Sequence, residues 1–443
     1  MLDSPRVREI GIGMIGCGTV GQGCLRLLTE NASSIEARLG GKLAVRRIAV
    51  RDLRKERDEI VPRALLTEDA REVLDRPDVD IVVEVVGGLE PAGSFVREAI
   101  ERGKHVVTAN KALLAEHGHA LIELAEARGV DLYFEAAVAG GIPIIRVLRE
   151  ALASDRIVAL RGIVNGTSNY ILSRMHDQGI GFDVALQAAQ DAGYAEADPT
   201  LDVSGGDATH KLLLLATLAY GARVTASQVT TEGITAIEAV DIQLAKRFGF
   251  VIKSLAIAEQ MPDGKLDLRV HPTLVPEKSV LASISGAMNA VSLVGAALGP
   301  CMLSGLGAGA MPTAVSVVSD LVDVGRNILA GVHGRVPSRA FRGEHLEARA
   351  VRDPGEREGR FYLRFSVLDR PGVLARIAGV LGAFDVSIEQ MVQEARASVV
   401  DAPVNVVMLT HVARERNVQS SIAEIASLHH VAQPTRMLRI EET

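Results

Sequence analysis

The sequence predicts an α/β chain in three parts: a parallel-sheet nucleotide-binding domain, a less regular middle, and a small βαββαβ domain at the end. Three observations carry this. The run Gly16-Cys-Gly-Thr-Val-Gly21 lies between a short apolar stretch and a segment with helical apolar spacing. Residues 80–86 form a continuous β-branched run, the mark of a strand buried on both faces in a parallel sheet. Residues 360–440 pass through strand-like and helix-like patterns in the order βαββαβ.

In chain order, residues 10–15 (Ile-Gly-Ile-Gly-Met-Ile) predict a buried strand and 22–29 a helix. Between them lies G-x-G-x-x-G in the strand-turn-helix context it requires. Gly16 permits the tight turn, Gly18 lets backbone approach a pyrophosphate, and Gly21 lets the helix pack on the strand. Thr19 and Val20 complete the loop, and the first N–H groups of the helix face the phosphates. The alternative is a βα turn without a ligand. A second strand, 43–50, ends where the adenosine ribose belongs. An NAD site places an acid about 20 residues after the glycines. Here the insertion is longer and the strand ends in Arg51-Asp52, with Arg54 and Lys55 nearby. Arg51 suits a 2′-phosphate and favours NADP(H) over NAD(H); Asp52 suits ribose hydroxyls.

A helix at 91–102 leads to a strand at 104–108, which runs into Ala109-Asn-Lys111. Ligands of open α/β sheets bind at strand ends, so Thr108, Asn110 and Lys111 line the nicotinamide end. Asn110 as a helix cap is compatible with that role. Residues 130–135 predict another strand. It continues as Ala136-Ala-Val-Ala-Gly-Gly-Ile-Pro143, irregular backbone whose carbonyls suit either a hard cation or a plain loop.

In the middle, 157–164 and 266–270 alternate like half-buried strands, while 182–190 and 236–248 are helical in spacing. Residues 279–319 carry no charge, but Gly, Ser, Asn and Pro interrupt them. They read as buried loops and strands rather than a spanning helix. Residues 313–329 predict a helix. The stretch 191–211 sets Glu196, Asp198, Asp202 and Asp207 ahead of Lys211, with Asp207 and Lys211 on one helix face. Such a stretch suits a cationic substrate held by carboxylates, with an ammonium at its reacting oxygen. The plain alternative is an acidic loop followed by an ion pair.

Residues 352–359 are dense in charge, Gly and Pro and read as a linker. The closing domain has strands at 360–367, 386–393, 404–412 and 434–440, with helices at 373–384 and 417–427. A net charge of −7 excludes a nucleic-acid footprint. With 48% hydrophobic residues the 443-residue chain has ample core for several domains. Cys17, Cys24 and Cys301 lack metal-ligand spacing and imply no disulfide framework. They read as buried small residues in a reducing cytoplasm. The first ten residues are too charged for a signal peptide.

The glycine run, Val107-Thr-Ala-Asn-Lys111, Glu135 to Pro143, Gly162-Ile-Val-Asn-Gly-Thr-Ser-Asn-Tyr170, Gly193-Tyr-Ala-Glu-Ala-Asp-Pro199, 202–211 and Gly307-Ala-Gly-Ala-Met-Pro-Thr313 occur in this order. In this set and spacing the chain resembles homoserine dehydrogenase over essentially its whole length. That family interconverts L-aspartate 4-semialdehyde and L-homoserine with NAD(P), on the route to threonine, methionine and isoleucine. The resemblance implies a Rossmann domain at 1–137, with 306–335 returning to it, and an α+β substrate and dimerisation domain at 138–305. A linker at 336–358 and an ACT-like regulatory domain at 359–443 complete it.

It implies Lys211 as proton donor in the reducing direction and Lys111 beside it. Chemically, an ammonium stabilises negative charge building on an aldehyde oxygen and supplies the proton. Glu196 and Asp207 would bind the substrate ammonium, with Asp202 secondary. Gly193 and Gly309 would approach the cofactor. A monovalent cation, commonly sodium, would sit on carbonyls of Glu135, Val138, Gly140 and Ile142. An amino-acid effector, threonine being the natural one, would meet Asp369, Gly372 and Val373, although Phe384-Asp385 replaces the small polar residues usual before the next strand. A homodimer or homotetramer is implied. The competing readings are a nucleotide- and amino-acid-binding sensor without hydride transfer, and a dehydrogenase for another short amino-acid alcohol.

Overall fold

The computed structural model describes residues 8–393 and 403–441. The chain divides into two compact units. The first comprises Met1–Gly166, Asp207–Gln228 and Met288–Arg349; the second comprises Thr167–Gly206, Val229–Ala287 and Ala350–Thr443.

The first unit is built on a six-stranded parallel sheet: β1 (Glu9–Ile15), β2 (Lys42–Ala49), β3 (Leu66–Thr67), β4 (Ile81–Glu84), β5 (His105–Thr108) and β6 (Leu132–Tyr133). The spatial order is β3-β2-β1-β4-β5-β6. This is the doubly wound dinucleotide-binding order, in which the sheet reverses direction of growth beside β1. Ile10, Ile12 and Met14 of β1 are fully buried against Val317, Leu321 and Val324 of the Ala310–Ala330 helix. That helix therefore belongs to the core of the nucleotide sheet although it comes late in the chain. The same unit holds an antiparallel trio, Ile157–Ile163, Met288–Gly295 and Gly299–Leu306. Two of these strands lie in the uncharged stretch, as its glycines and prolines suggest.

Two predicted strands are shorter than expected. β4 stops at Glu84 because that carboxylate accepts the N–H groups of Val86 (2.8 Å) and Gly87 (3.0 Å), folding the chain into a turn. β6 stops at Tyr133. Glu135 starts a turn of 3₁₀ helix, its N–H donating to Asp320 (2.7 Å) and its carboxylate accepting from Ile145 and Arg146. Cys17 and Cys24 are buried as expected, but Cys301 is only partly covered, because it lies on an edge strand.

The second unit contains the predicted βαββαβ tail: Glu358–Leu368, Val373–Ala383, Ile388–Gln393, Pro403–Thr410, Glu415–Ala426 and Val431–Ile440. Residues 394–402 of the expected pattern lie outside the described residues. Phe361, Phe365, Ile377, Leu381, Met408 and Ile425 form one core. The opposite sheet face, with Tyr362, Leu409 and Leu438, packs on Ile171, Met175 and Ile242. The Val431–Ile440 strand pairs in parallel with Leu266–Pro276, itself in a long hairpin with Phe250–Gln260. The sequence predicts the first of these only as far as 270 and carries no strand signal for the second. The Gly166–Gln178 helix is likewise an element beyond the sequence reading.

Candidate active site

The register of the parallel sheet aligns Ile15 with Glu84 and Glu84 with Thr108, so three strand ends form one row. Gly16, at φ +104°, turns the chain out of β1. A side chain there would be strained and would meet the Val85 backbone. Gly18 precedes the Thr19–Glu30 helix, which has no side-chain cap, and a Cβ on Gly18 would meet nothing within 4 Å. Free N–H groups facing open space fit a pyrophosphate. Gly21 packs so closely that its Cβ would lie 2.8 Å from the Gly16 carbonyl. Gly309, at φ +117°, immediately precedes Ala310, whose carbonyl lies against Gly23 of the glycine-loop helix. That contact brings Gly309 close to the Thr19–Glu30 helix.

At the ribose end Asp52 is occupied, accepting from the backbone (2.8 Å) and guanidinium (3.2 Å) of Arg54. Those bonds hold its carboxyl below the ordinary value. Arg51 is exposed, and among the described residues it takes no hydrogen bond or ion pair.

Glu84, fully buried, accepts the Thr108 hydroxyl at 2.6 Å. The Thr108 oxygen accepts the Asn110 N–H, and Asn110 caps the Lys111–Arg128 helix through Leu113 N–H (3.1 Å). This chain of bonds fixes where Lys111 leaves the sheet. Lys111 Nζ lies 3.1 Å from Asp207 Oδ1. Asp207 stands at the start of the Gly206–Tyr220 helix, and one turn on, Lys211 Nζ donates to Asp207 Oδ2 and to the Val164 carbonyl, both at 2.6 Å. Asn165 Nδ2 donates to the same Oδ2 at 2.8 Å. Burial opposes ionisation of Asp207; the charges of Lys211 and Lys111 overcome it and hold the carboxyl well below its usual range.

Lysines from two distant parts of the sequence thus meet on one buried carboxylate. Asn165 and the Val164 carbonyl complete the arrangement. Both lie in a quoted motif, but sequence reasoning gave neither a role. His210 was also missed; it is half-buried, and Asp207 and Lys111 both act electrostatically on its ring.

Gly193, Glu196 and Asp202 lie in the second unit. Gly193 adopts φ +75° after the Phe182–Asp191 helix. The loop that follows is tied to the Gly166–Gln178 helix. Thr167 Oγ1 donates to the Tyr194 carbonyl (2.7 Å), and the Tyr170 and Tyr194 rings lie 4.8 Å apart. Glu196 is exposed, and its carboxylate has no partner among the described residues. The Asp202 carbonyl accepts from Ser168 at 3.0 Å.

Glu135, Val138, Gly140 and Ile142 follow β6. Ala139 and Gly140 take positive φ. The Gly140 carbonyl accepts from Ser316 Oγ (2.6 Å), and that of Ile142 from Ile144 N–H (2.7 Å). Each keeps a second lone pair, and an all-oxygen donor set suits a hard cation. In the tail, Asp369, Gly372, Val373 and Gln393 line a cavity of about 390 Å³ at the strand–helix turn.

Three known family patterns cover the chain: the NAD-binding domain of homoserine dehydrogenase at 16–135, homoserine dehydrogenase at 143–322, and the ACT domain at 361–430. The homoserine dehydrogenase of Neisseria gonorrhoeae is 43% identical, over 98% of this chain and 99% of its own. That of Corynebacterium glutamicum is 44% identical, over 98% and 96%. The crystal structure of a homoserine dehydrogenase from Thiobacillus denitrificans superposes with a TM-score of 0.91 at 46% identity, over 98% of this chain and 99% of that one. A hyperthermophilic archaeal homoserine dehydrogenase in complex with NADPH matches 72% of this chain and 98% of its own, with a TM-score of 0.60 and 25% identity.

Proposed function

The chain belongs to the homoserine dehydrogenase family, NAD(P)-dependent oxidoreductases acting on a CH–OH group, and from that premise we propose how its residues perform the reaction. The bound nicotinamide exchanges a hydride with the C4 carbon. Lys211 handles the proton. An ammonium has three N–H groups; two of Lys211's are taken by Asp207 and the Val164 carbonyl, leaving one for the reacting oxygen. That is the observation on which the mechanism rests. In the reducing direction this N–H stabilises the growing alkoxide and delivers its proton; in the oxidising direction the amine takes the hydroxyl proton.

Asp207 is a positioning residue in this reading. Its carboxylate already serves two ammonium groups and an amide, so a substrate ammonium would be a third cation on one anion. Glu196, unpartnered and exposed, takes the substrate ammonium instead, with Asp202 secondary. Lys111 shares the charge at the reacting oxygen and borders the nicotinamide. Thr108, Gly193 and Gly309 border the cofactor; Gly16, Gly18, Thr19, Val20 and Gly21 hold its pyrophosphate.

NADP(H) is preferred over NAD(H), supported by an unpaired Arg51 next to an occupied Asp52. The NADPH complex of the archaeal relative is consistent with that. A monovalent cation on the carbonyls of 135, 138, 140 and 142 braces the turn between β6 and the Ile144–Arg146 helix. Threonine as effector of the tail cavity, through Asp369, Gly372 and Val373, completes the regulatory part. We also propose a homo-oligomer in a reducing cytoplasm. Exposed Leu298 and Leu306 flank an edge strand, and the three cysteines are free thiols. A sensor without chemistry is not favoured, because the relatives named as dehydrogenases match this chain end to end.

The test is NADPH oxidation with L-aspartate 4-semialdehyde by wild type and Lys211→Met. The variant is expected to lose about 10²–10⁴-fold in kcat, the range of a general acid. Undiminished turnover would remove Lys211 from the mechanism.

A further inference from the structure

We propose that the second unit carries a binding site for a small oxyanion, phosphate or a compact carboxylate, where the ACT sheet joins the Leu266–Pro276 strand. The site is a cavity of about 90 Å³, polar on most of its wall, formed by Arg269, Arg357, Arg439, Asp267, Glu415 and their neighbours. The three guanidinium groups come from three separate segments, and all are more than nine-tenths buried.

All three guanidiniums are anchored by carboxylates, and those of Arg357 and Arg439 each leave one nitrogen open. Arg357 Nε donates to Asp267 Oδ1 (2.8 Å) and its Nη2 to Thr230 Oγ1 (3.1 Å). Arg439 donates to both Glu415 oxygens and to Glu232 (2.8 Å). Arg269 pairs with Asp267 and with Glu441 (3.0 Å). Arg357 Nη1 and Arg439 Nη1 are buried and have no partner among the described residues. Buried donors are ordinarily satisfied, and a charged one left open is costly.

Three guanidiniums are buried here beside two equally buried carboxylates, Asp267 and Glu415. Glu441, Glu259 and Glu232 are the more accessible counter-charges. Burial and the positive charge of Arg269 pull the Arg357 pKa down despite its bond to Asp267. His271, entirely buried, is held neutral by burial and by Arg439 and Arg269.

Pre-anchored N–H groups of two arginines that line one cavity suit a carboxylate or phosphate. At about 30 Å³ per water the cavity takes roughly three waters or one compact oxyanion. Of the two, only the anion gives the open Nη1 groups of Arg357 and Arg439 charge-assisted hydrogen bonds. An anion here links the linker, the ACT sheet and the Leu266–Pro276 strand, so its occupancy is expected to raise the unfolding temperature.

Titration calorimetry of the full chain decides the matter, with NADPH saturating so that the glycine turn is already filled. Inorganic phosphate and acetate are added separately at constant ionic strength. Wild type is expected to show one saturable site for at least one of them, at millimolar affinity or tighter. Arg357→Lys and Arg439→Lys keep the charge but lose the open Nη1, and each is expected to weaken binding about tenfold or more. Tighter phosphate identifies a tetrahedral ligand, and tighter acetate a carboxylate; both support the site. No saturable binding in wild type means that water fills the cavity and overturns the proposal. Unchanged affinity in both lysine variants overturns it equally, since the anion then sits elsewhere. Unfolding curves in chloride buffer show which variants are folded.

Discussion

Asp207→Asn separates the two roles open to this carboxylate. The aspartate accepts from three donors: Lys211 and Asn165 on Oδ2, Lys111 on Oδ1. Asparagine has one acceptor oxygen. If that oxygen keeps Lys211 and Asn165, the new NH₂ group faces the ammonium of Lys111, donor against donor. Two cations also lose their shared anion at a site where the carboxylate is 4% exposed. Removing one partner of a buried ion pair costs about 3–5 kcal/mol. For domains of this size, each kcal/mol moves the unfolding temperature about 2–4 °C, so scanning calorimetry at neutral pH resolves the loss. The pH dependence has a defined sign. The carboxyl is held below its ordinary value of 3.8, so its contribution is fully present above that value. It is lost as pH falls towards the folded value, and the gap between wild type and variant is expected to narrow below about pH 4. In steady-state kinetics a positioning role predicts a fall in kcat of about 10²-fold or more with little change in the KM for the semialdehyde. If Asp207 instead held the substrate ammonium, KM would rise with kcat less affected. A variant as stable as wild type at pH 7, or one altered in KM alone, would refute the reasoning.

Two further outcomes follow from separate parts of the structure. Arg51→Ala is expected to raise the KM for NADPH about tenfold, the worth of a charge-assisted hydrogen bond, while leaving that for NADH nearly unchanged; equal effects on both cofactors, measured side by side, would count against the 2′-phosphate reading. Arg364→Met strips the fully buried Asp241 of its guanidinium (Nε to Oδ1, 2.7 Å) and leaves it only the Tyr362 hydroxyl (3.0 Å) as a tail partner, so a loss of about 3–5 kcal/mol is expected in denaturant unfolding.

How far the sequence could be read depended on whether one short stretch carried its own physical reason. The glycine turn did: Gly16 needs a positive φ, Gly21 a close approach, and both needs are local. The βαββαβ tail was legible because its strand-like and helix-like runs alternate within one continuous stretch and a turn, Leu368-Asp-Arg-Pro-Gly372, marks the first change. Phe250–Gln260 was not legible. It is covered on both faces and holds a buried lysine, Lys253, whose ammonium donates to the Ile284 carbonyl at 2.5 Å. No alternation survives such burial. Gly166–Gln178 failed for the opposite reason. Ser168, Asn169 and Ser173 are buried and hydrogen-bonded alongside Ile171, Leu172 and Met175, so polar residues interrupt the apolar spacing of its covered side.

The site divides along the same line. The pairing of Asp207 with Lys211 follows from helical spacing and could be foreseen. That Lys111 completes it depends on Glu84, Thr108 and Asn110, three residues on two strand ends whose bonds to one another fix the start of the Lys111–Arg128 helix. Glu84 could not be singled out beforehand, since its carboxylate ends a strand that the apolar pattern carries on to Val86. The residue that interrupts the pattern is the one that sets where Lys111 leaves the sheet. A buried acid that shortens a predicted strand is therefore a signal to look for the loop it holds, and here that loop leads to the second lysine.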